Sequence, residues 1–318
     1  TKVALSLIYL IPGKAEEKRE NDVPQIIETI QQPKQNALKP VLQLQAVVAE
    51  APKIRHLDKR AYIDFPVNKI ELRADYRRNP AQLDSIITTI NALKADKNLQ
   101  VMAINIHGFA SPEGKYQHND YLAKNRARTL AEYVRKMVNL PDSIFTISST
   151  AEDWEGLREY IQQSDLEKKQ QILAIAQDET LTPDARDAKI KKQYPAQYRS
   201  LLTLCYPALR HSDYHITYKI KPFDVEEAKQ MMQTKPQLLS LNELFMVAQT
   251  YEVGSKEFNE VMELAVRMYP EDETANLNAA IIRLNNGDAE AAKPYLDRAG
   301  ASEEADAARK AYEMMTIQ

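Results

Sequence analysis

The chain changes its sequence pattern once, near Asp224, and this change constrains the fold more than any other feature. Before it, short apolar runs alternate with amphipathic helical stretches, and after it only helical spacing occurs. The first pattern predicts a sheet covered by helices, and the second predicts packed helices without strands. We therefore predict an α+β fold: a β-α-β-α-β α/β sandwich with a helical insert in residues 58–223, then an all-α region in residues 224–318.

The α/β part is defined by four expected strands and two expected helices. The strands are predicted at 62–67, 99–106, 144–147 and 214–220, the second of them central because it is almost continuously apolar. One helix is expected to start at Asn79, as an Asn cap followed by proline, and the other after Gly114. Residues 151–206 far exceed an ordinary connection between elements, so they are interpreted as a helical insert on the sheet rim.

Residues 1–57 are expected to be a strand followed by a tether. Apolar side chains alternate between residues 3 and 11, which favours a strand; a remnant of a secretory signal is the alternative. Because residue 1 is Thr, we expect a processed or truncated chain. Four prolines and a Gln-rich stretch predict a loosely packed tether over 14–57, with one further strand at 41–48.

The formal net charge of −3 combines two parts of opposite sign. Residues 1–223 contain 33 Lys and Arg against 27 Asp and Glu (+6), and residues 224–318 contain 9 against 18 (−9). The basic part suits anionic partners and the acidic part suits proteins, although both are compatible with ordinary solvated surfaces. No Lys/Arg stripe carries interleaved aromatic residues, so no nucleic-acid partner is expected. No apolar run reaches the ~18 residues of a transmembrane segment.

The sequence contains few groups suited to catalysis or metal binding. Cys205 is the single cysteine, which excludes a disulfide framework and multi-cysteine metal sites. His211 and His215 are four residues apart on an expected strand, which places them roughly 13 Å from each other. His107 is expected to be packed in a central strand. No nucleophile, P-loop or dinucleotide motif occurs. We therefore predict no metal, no cofactor and no enzymatic activity.

The helical region repeats itself at a spacing of 34 residues. This spacing is that of the tetratricopeptide (TPR) repeat, a helix pair that buries its apolar face only against neighbouring repeats. Residues 287–299 resemble the turn and second helix of such a repeat, and Tyr269-Pro270 resembles the stop between repeats. A non-repeat helical bundle is the alternative. The recurring pairs are Phe258/Ala292, Met262/Leu296, Ala265/Ala299, Phe245/Ala279 and Met246/Ala280.

The segment from Ile104 to Gly114 reads Ile-Asn-Ile-His-Gly-Phe-Ala-Ser-Pro-Glu-Gly and runs into a helix. It resembles the OmpA C-terminal-like family of Gram-negative envelope proteins, which is also found in peptidoglycan-associated lipoproteins. In that family a strand ends in Gly-aromatic-Thr-Asp, a Gly follows, and an Asn-x-x-Leu-Ser-x-x-Arg-Ala helix comes next. The resemblance covers residues 61–221 without the insert. The motif positions matched without gaps are Gly108, Gly114, Asn119, Leu122, Arg126 and Ala127.

The resemblance implies a groove for the diaminopimelate of the peptidoglycan stem peptide. In the family an Asp in the loop holds the ammonium and an Arg on the helix holds the carboxylate. The Arg corresponds to Arg126, but Ser111 occupies the position of the Asp, with Glu113 as a possible substitute carboxylate. The family's Arg-Arg-Val-Glu segment retains only its first residue, as Arg210. Asn119 completes the expected ligand-binding set of Ser111, Glu113, Asn119, Arg126 and Arg210.

Each of these residues also has a purely structural interpretation. Arg126 is compatible with capping carbonyls or bridging to an acidic neighbour. Asn119 is compatible with a loop-to-helix cap, and Ser111 with a tight turn. The resemblance implies a periplasmic or outer-membrane-associated envelope protein that contacts peptidoglycan and binds a protein through its C-terminal helices. The alternative is an envelope assembly scaffold that has lost peptidoglycan binding.

Overall fold

The computed structural model describes residues 42–49, 52–66 and 68–317 and shows a mixed α/β architecture. Four strands form one sheet in the order β1-β4-β2-β3. Strand β4 is antiparallel to both of its neighbours, and β2 and β3 are parallel. The α+β class is therefore confirmed. The strands are β1 (Lys53–Ala61), β2 (Leu99–Phe109), β3 (Phe145–Thr150) and β4 (Ser212–Ile220).

Helices cover the sheet, form the insert and make up the C-terminal region. The two that pack on the sheet are α1 (Asn79–Ala95) and α2 (Tyr116–Val138). The insert contains α3 (Trp154–Gln163), α4 (Lys169–Ala176), α5 (Pro183–Gln193), α6 (Pro195–Leu204) and α7 (Tyr206–Leu209). The C-terminal helices are α8 (Val225–Thr234), α9 (Leu241–Ala248), α10 (Lys256–Met268), α11 (Glu273–Asn285), α12 (Ala289–Leu296) and α13 (Glu303–Thr316).

Two expectations about the N-terminal side of the sheet are wrong. The first strand was expected at 62–67, but β1 lies at Lys53–Ala61 and takes up the last residues assigned to the tether. Residues 42–49 form neither helix nor strand, against the strand expected at 41–48. The strand expected at residues 3–11 lies outside the described residues. The edge strand escaped detection because KIRHLDKRA carries five charged side chains and lacks a clear apolar alternation.

Asn79 begins α1 but does not cap it. Its side chain is fully buried and binds the backbone of the preceding segment instead. The Oδ1 atom accepts from the Asp64 amide at 2.7 Å, while Nδ2 donates to the carbonyls of Asp64 and Arg73 at 2.9 and 2.7 Å. These bonds tie the irregular segment that connects β1 to α1 to the first residue of α1. That segment forms one wall of the cleft described below.

The insert has a hydrophobic core of its own. Trp154, Leu157 and Ile161 on α3 pack against side chains of α4, α5 and α6, and Tyr206 closes the cluster without exposure to solvent. A separate core explains how so long a connection remains folded beside the sheet. The helical insert ends at Leu209, three residues beyond the expected boundary.

The C-terminal helices share a hydrophobic cluster with one end of the sheet. Ile220 of β4 and Phe223 belong to the cluster formed mainly by α9 and α10, and Leu99 packs against it. The ammonium of Lys53 on β1 lies 2.8 Å from the carboxylate of Glu243 on α9, with both side chains almost completely buried. Apolar and ionic contacts therefore connect the regions on either side of Asp224.

Candidate ligand-binding cleft

All five residues expected to bind a ligand line one cleft of about 810 Å³. Its walls are the segment between β1 and α1, the loop after β2, one face of α2, and the chain between the insert and β4. The lining residues that the sequence interpretation singled out are Ser111, Glu113, Asn119, Arg126 and Arg210. The others are Ile63, Asp64, Phe65, Asn68, Tyr76, Arg77, Arg78, Ala110, Gly114, His118, Leu122 and Pro207.

Two glycines of the motif allow this geometry. A Cβ on Gly108 would overlap the Ala123 carbonyl and lie 2.9 Å from the Ala127 Cβ, so glycine lets α2 approach β2 closely. Gly114 has a φ of +99°, a backbone conformation that side chains of L-residues rarely adopt. It turns the loop into the start of α2. The two glycines thus help to place the loop and α2, which both line the cleft.

Arg210 contacts both Ser111 and Glu113 in the cleft. Its Nε donates to Ser111 Oγ over 3.0 Å, and its Nη2 forms an ion pair with Glu113 Oε1. Ser111 is buried, while Glu113 and Arg210 are each about two-fifths exposed. Ser111 and Glu113 therefore already hold a cation of the protein itself, contributed by a residue about a hundred positions away in the chain.

Asn119 anchors the loop to α2 and to the insert. Its Nδ2 donates to the Glu113 carbonyl at 3.0 Å and to Glu152 Oε1 at 2.9 Å. Trp154 Nε1 donates to the other oxygen of Glu152. Burial raises the pKa of Glu152, and these two hydrogen bonds oppose that rise. Asn119 lines the cleft, but its side-chain Nδ2 group donates both of these hydrogen bonds to other parts of the protein.

Arg126 presents the side chain best placed to hold a ligand. Its Nε donates to the Lys69 carbonyl at 3.1 Å, and its guanidinium lies 5.1 Å from the centre of the Phe65 ring. Within residues 42–49, 52–66 and 68–317, no carboxylate pairs with it. Burial, followed by the nearby charge of Arg210, lowers the pKa of Arg126 to about 10. A ligand carboxylate would supply the missing counter-charge.

The cleft carries an excess of positive charge. Asp64 is held by a two-bond ion pair with Arg78, at 3.0 Å for each bond, and this pair lowers the pKa of Asp64. With Glu113 held by Arg210, both carboxylates of the lining are compensated. Four guanidinium groups against two carboxylates leave +2, counting neutral histidine. The arrangement favours an anionic ligand or an anionic end of a larger one.

A charge network around the buried His211 side chain was missed by sequence reasoning. The two ring nitrogens of His211 lie 3.2 Å from Asp153 Oδ2 and 3.0 Å from Asp213 Oδ1, and Arg60 forms two further bonds to Asp213. Burial opposes protonation of His211, but the bonds to both aspartates prevail and raise its pKa. The network ties the insert, β4 and β1 together.

The remaining candidates for chemistry are engaged in packing. His107 lies between Ser148 Oγ at 2.7 Å and Thr150 Oγ1 at 2.8 Å on the neighbouring strand. Burial, with the charge of Asp153, raises the pKa of the Cys205 thiol to about 12, which disfavours the reactive thiolate. Among the described residues, His, Cys, Asp and Glu side chains do not gather in groups of three or more suited to a metal.

No protein-family model matches the chain, and no curated protein matches it significantly. In the part of the chain that the structure describes, no helix combines the length and apolar character needed to cross a membrane.

Proposed function

We propose that this chain is a non-catalytic protein of the Gram-negative cell envelope, periplasmic or associated with the outer membrane. Its OmpA-like α/β part contacts peptidoglycan, or a related envelope ligand, through the cleft around Arg126. Its TPR-like C-terminal helices bind a protein partner. The observation that carries the proposal is Arg126, a guanidinium that lines the cleft without a carboxylate partner among the described residues.

The ligand group proposed for Arg126 is a carboxylate of the stem peptide. Because Nε is bound to the Lys69 carbonyl, the two terminal amino groups are the donors left for a ligand. A guanidinium can hold a carboxylate through two parallel hydrogen bonds, which fixes orientation as well as charge. The positive excess of the lining supports the same choice.

An ammonium of the same ligand would meet Glu113. Only Oε1 of Glu113 pairs with Arg210, and a carboxylate has lone pairs for further donors. Glu113 therefore serves as the substitute for the family's aspartate, but with its charge shared with Arg210. We expect the cleft to hold the carboxylate end of a stem peptide more firmly than the ammonium end.

Sedimentation with purified cell-wall sacculi tests this proposal. Wild-type protein should appear in the pellet, and Arg126→Ala should reduce binding about ten-fold or more, the equivalent of one lost charge-assisted contact. Arg128→Ala is the matched control, because Arg128 is exposed on the same helix and its Nη1 donates only to Asn125 Oδ1. Wild-type protein that stays in the supernatant would refute wall binding.

A second candidate function is an assembly scaffold that no longer binds the wall. The observation that favours it is that Arg210 contacts both Ser111 and Glu113. The negative charge of Glu113 is therefore already compensated by the protein. In that case the sacculus assay would be negative for wild type and for Arg126→Ala alike. The protein-binding role of the C-terminal helices would remain.

A further inference from the structure

An extended segment of the chain lies along α11 and is held there by two asparagines. Asn285 accepts from the Leu42 amide at 3.1 Å and donates to the Leu42 carbonyl at 2.9 Å. Asn278 does the same for Gln45, at 2.6 and 2.8 Å. Each amide side chain thus satisfies both the N–H and the C=O of one residue. These contacts bridge more than 230 positions of sequence.

The spacing of the asparagines matches the repeat of an extended chain. Seven residues of α-helix advance about 10.5 Å, and three residues of extended chain advance about 10 Å. Asn285 can therefore pair with Leu42 while Asn278 pairs with Gln45, three residues later in the segment. The segment runs antiparallel to the helix. Because all four bonds involve backbone atoms of the segment, they do not depend on its side chains.

Side-chain contacts of the segment are modest. Leu42 and Leu44 pack against the apolar cluster of α11, α12 and α13, while Leu44 and Val47 pack against that of α9 and α10. Each of the three is only partly buried, and the Val48 side chain is 90% exposed. The segment lies across the junction of two helix clusters without becoming part of either interior.

We propose that the face of α11 bearing Asn278 and Asn285 is a groove that binds extended peptide by its backbone, with residues 42–49 as the resident occupant. The partner is an extended protein segment with apolar side chains two positions apart, as in Leu42 and Leu44. Such a segment binds this groove only when residues 42–49 leave it. This inference rests on the proposed protein-binding role of the C-terminal helices and gives that partner a chemistry.

A peptide with the sequence of residues 42–49, carrying a fluorescent label, tests the groove by anisotropy. The full chain with Leu42→Asp and Leu44→Asp, which weakens the resident segment, should bind the peptide at least about ten-fold more tightly than wild type, as removal of a competitor requires. Adding Asn278→Ala to that variant should abolish the gain. Adding Asn286→Ala is the matched control, because Asn286 is exposed at the end of the same helix.

Backbone recognition is tested on the peptide itself. N-methylation at the position of Gln45 removes the donor to Asn278 and should abolish binding, while N-methylation at the position of Gln43 should have little effect. Equal binding by wild type and the double aspartate variant, or equal tolerance of both methyl groups, would overturn the proposal. The cleft and α11 share no residue, so a negative sacculus assay does not affect this result.

Hydrogen exchange of the wild-type chain provides a test that needs no variant. The amides of Leu42 and Gln45 should exchange at least about 100-fold faster than those of Ile104 and Ile106 in β2, because a displaceable segment opens without global unfolding. Equal protection would show that residues 42–49 are a fixed part of the fold and would overturn the proposal.

Discussion

Arg210 Nε lies 3.0 Å from Ser111 Oγ, so a cation of the protein faces the serine hydroxyl in the cleft. The same guanidinium pairs with Glu113. An internal positive charge therefore lies next to both Ser111 and Glu113 in the cleft. Substitutions that change the charge near Ser111 should therefore affect ligand affinity through their interaction with Arg210.

An aspartate introduced at position 111 should strengthen ligand binding only when Arg210 is removed as well. In Ser111→Asp alone the new carboxylate would pair with Arg210, so affinity for a diaminopimelate-containing stem peptide should stay near the wild-type value. The double variant Ser111→Asp/Arg210→Ala leaves that carboxylate free, and we expect about ten-fold tighter binding, as for one hydrogen bond to a charged group. Calorimetric titration with the peptide measures both affinities.

The matched control is Ser111→Ala/Arg210→Ala, which loses the same arginine but gains no charge. The difference between the two double variants isolates the carboxylate at position 111. A full gain in affinity from Ser111→Asp alone would show that Arg210 does not neutralise this site.

The buried pair between Lys53 and Glu243 should be a major contribution to stability. Lys53 Nζ lies 2.8 Å from both carboxylate oxygens, and the side chains are only 3% and 7% exposed. Lys53→Met leaves a buried carboxylate without its cation and should lower the free energy of unfolding by about 3–5 kcal/mol. Urea denaturation gives the value.

An exposed pair serves as the comparison. Lys293 and Asp297 lie 2.9 Å apart on one helix with more than half of each side chain exposed, so Lys293→Met should cost at most about 1 kcal/mol. Similar losses for both lysine variants would contradict the role assigned to burial.

Stability should fall as the pH rises above about 6.5, the ordinary pKa of histidine. Burial opposes protonation of His211, but its bonds to Asp153 and Asp213 raise the folded-state pKa. A raised pKa contributes stability that is fully present below the unfolded pKa and is lost as the pH passes through the folded one. Urea denaturation at several pH values above about 6.5 should show this decline in wild type and not in His211→Gln.

His107 provides the control because its effect has the opposite sign. Burial lowers the pKa of His107, so its contribution changes only below about pH 6.5. His107→Gln should therefore leave the decline above that pH unchanged. A decline that persists in His211→Gln would assign the pH dependence to other groups.

Gly108→Ala should separate α2 from β2. The added methyl group would overlap the Ala123 carbonyl and crowd the Ala127 Cβ, so we expect a loss of about 1–3 kcal/mol in the free energy of unfolding. Ser85→Ala, at an exposed position of α1, should change it by no more than about 0.5 kcal/mol. Equal stability of the two variants would show that the close approach is not required.

Local sequence patterns predicted the elements that contain a clear run or periodicity of apolar side chains. Strand β2 was recognisable from its apolar run, whereas the cleft was expected only from the family resemblance of the motif between Gly108 and Arg126. Strand β1 was not, because its charged residues become a strand only by pairing with β4, with Lys53 opposite Ile220. Such pairing depends on residues more than 150 positions away.

The hydrogen-bond partners within the cleft are also far apart in the sequence. Arg210 meets Ser111 across 99 positions, and Arg126 meets Lys69 across 57. The family resemblance named five side chains that share the cleft, but not their pairings. Those pairings leave Arg126 without a carboxylate partner among the described residues, while Glu113 shares its charge with Arg210.

The most direct measurement is calorimetric titration of wild type and Arg126→Ala with a stem peptide and with its fully amidated form. If Arg126 holds a ligand carboxylate, wild type should bind the acid about ten-fold or more tightly than the amide, and the variant should bind both equally weakly. Equal affinity of wild type for both peptides, or full affinity of Arg126→Ala for the acid, would contradict the assignment.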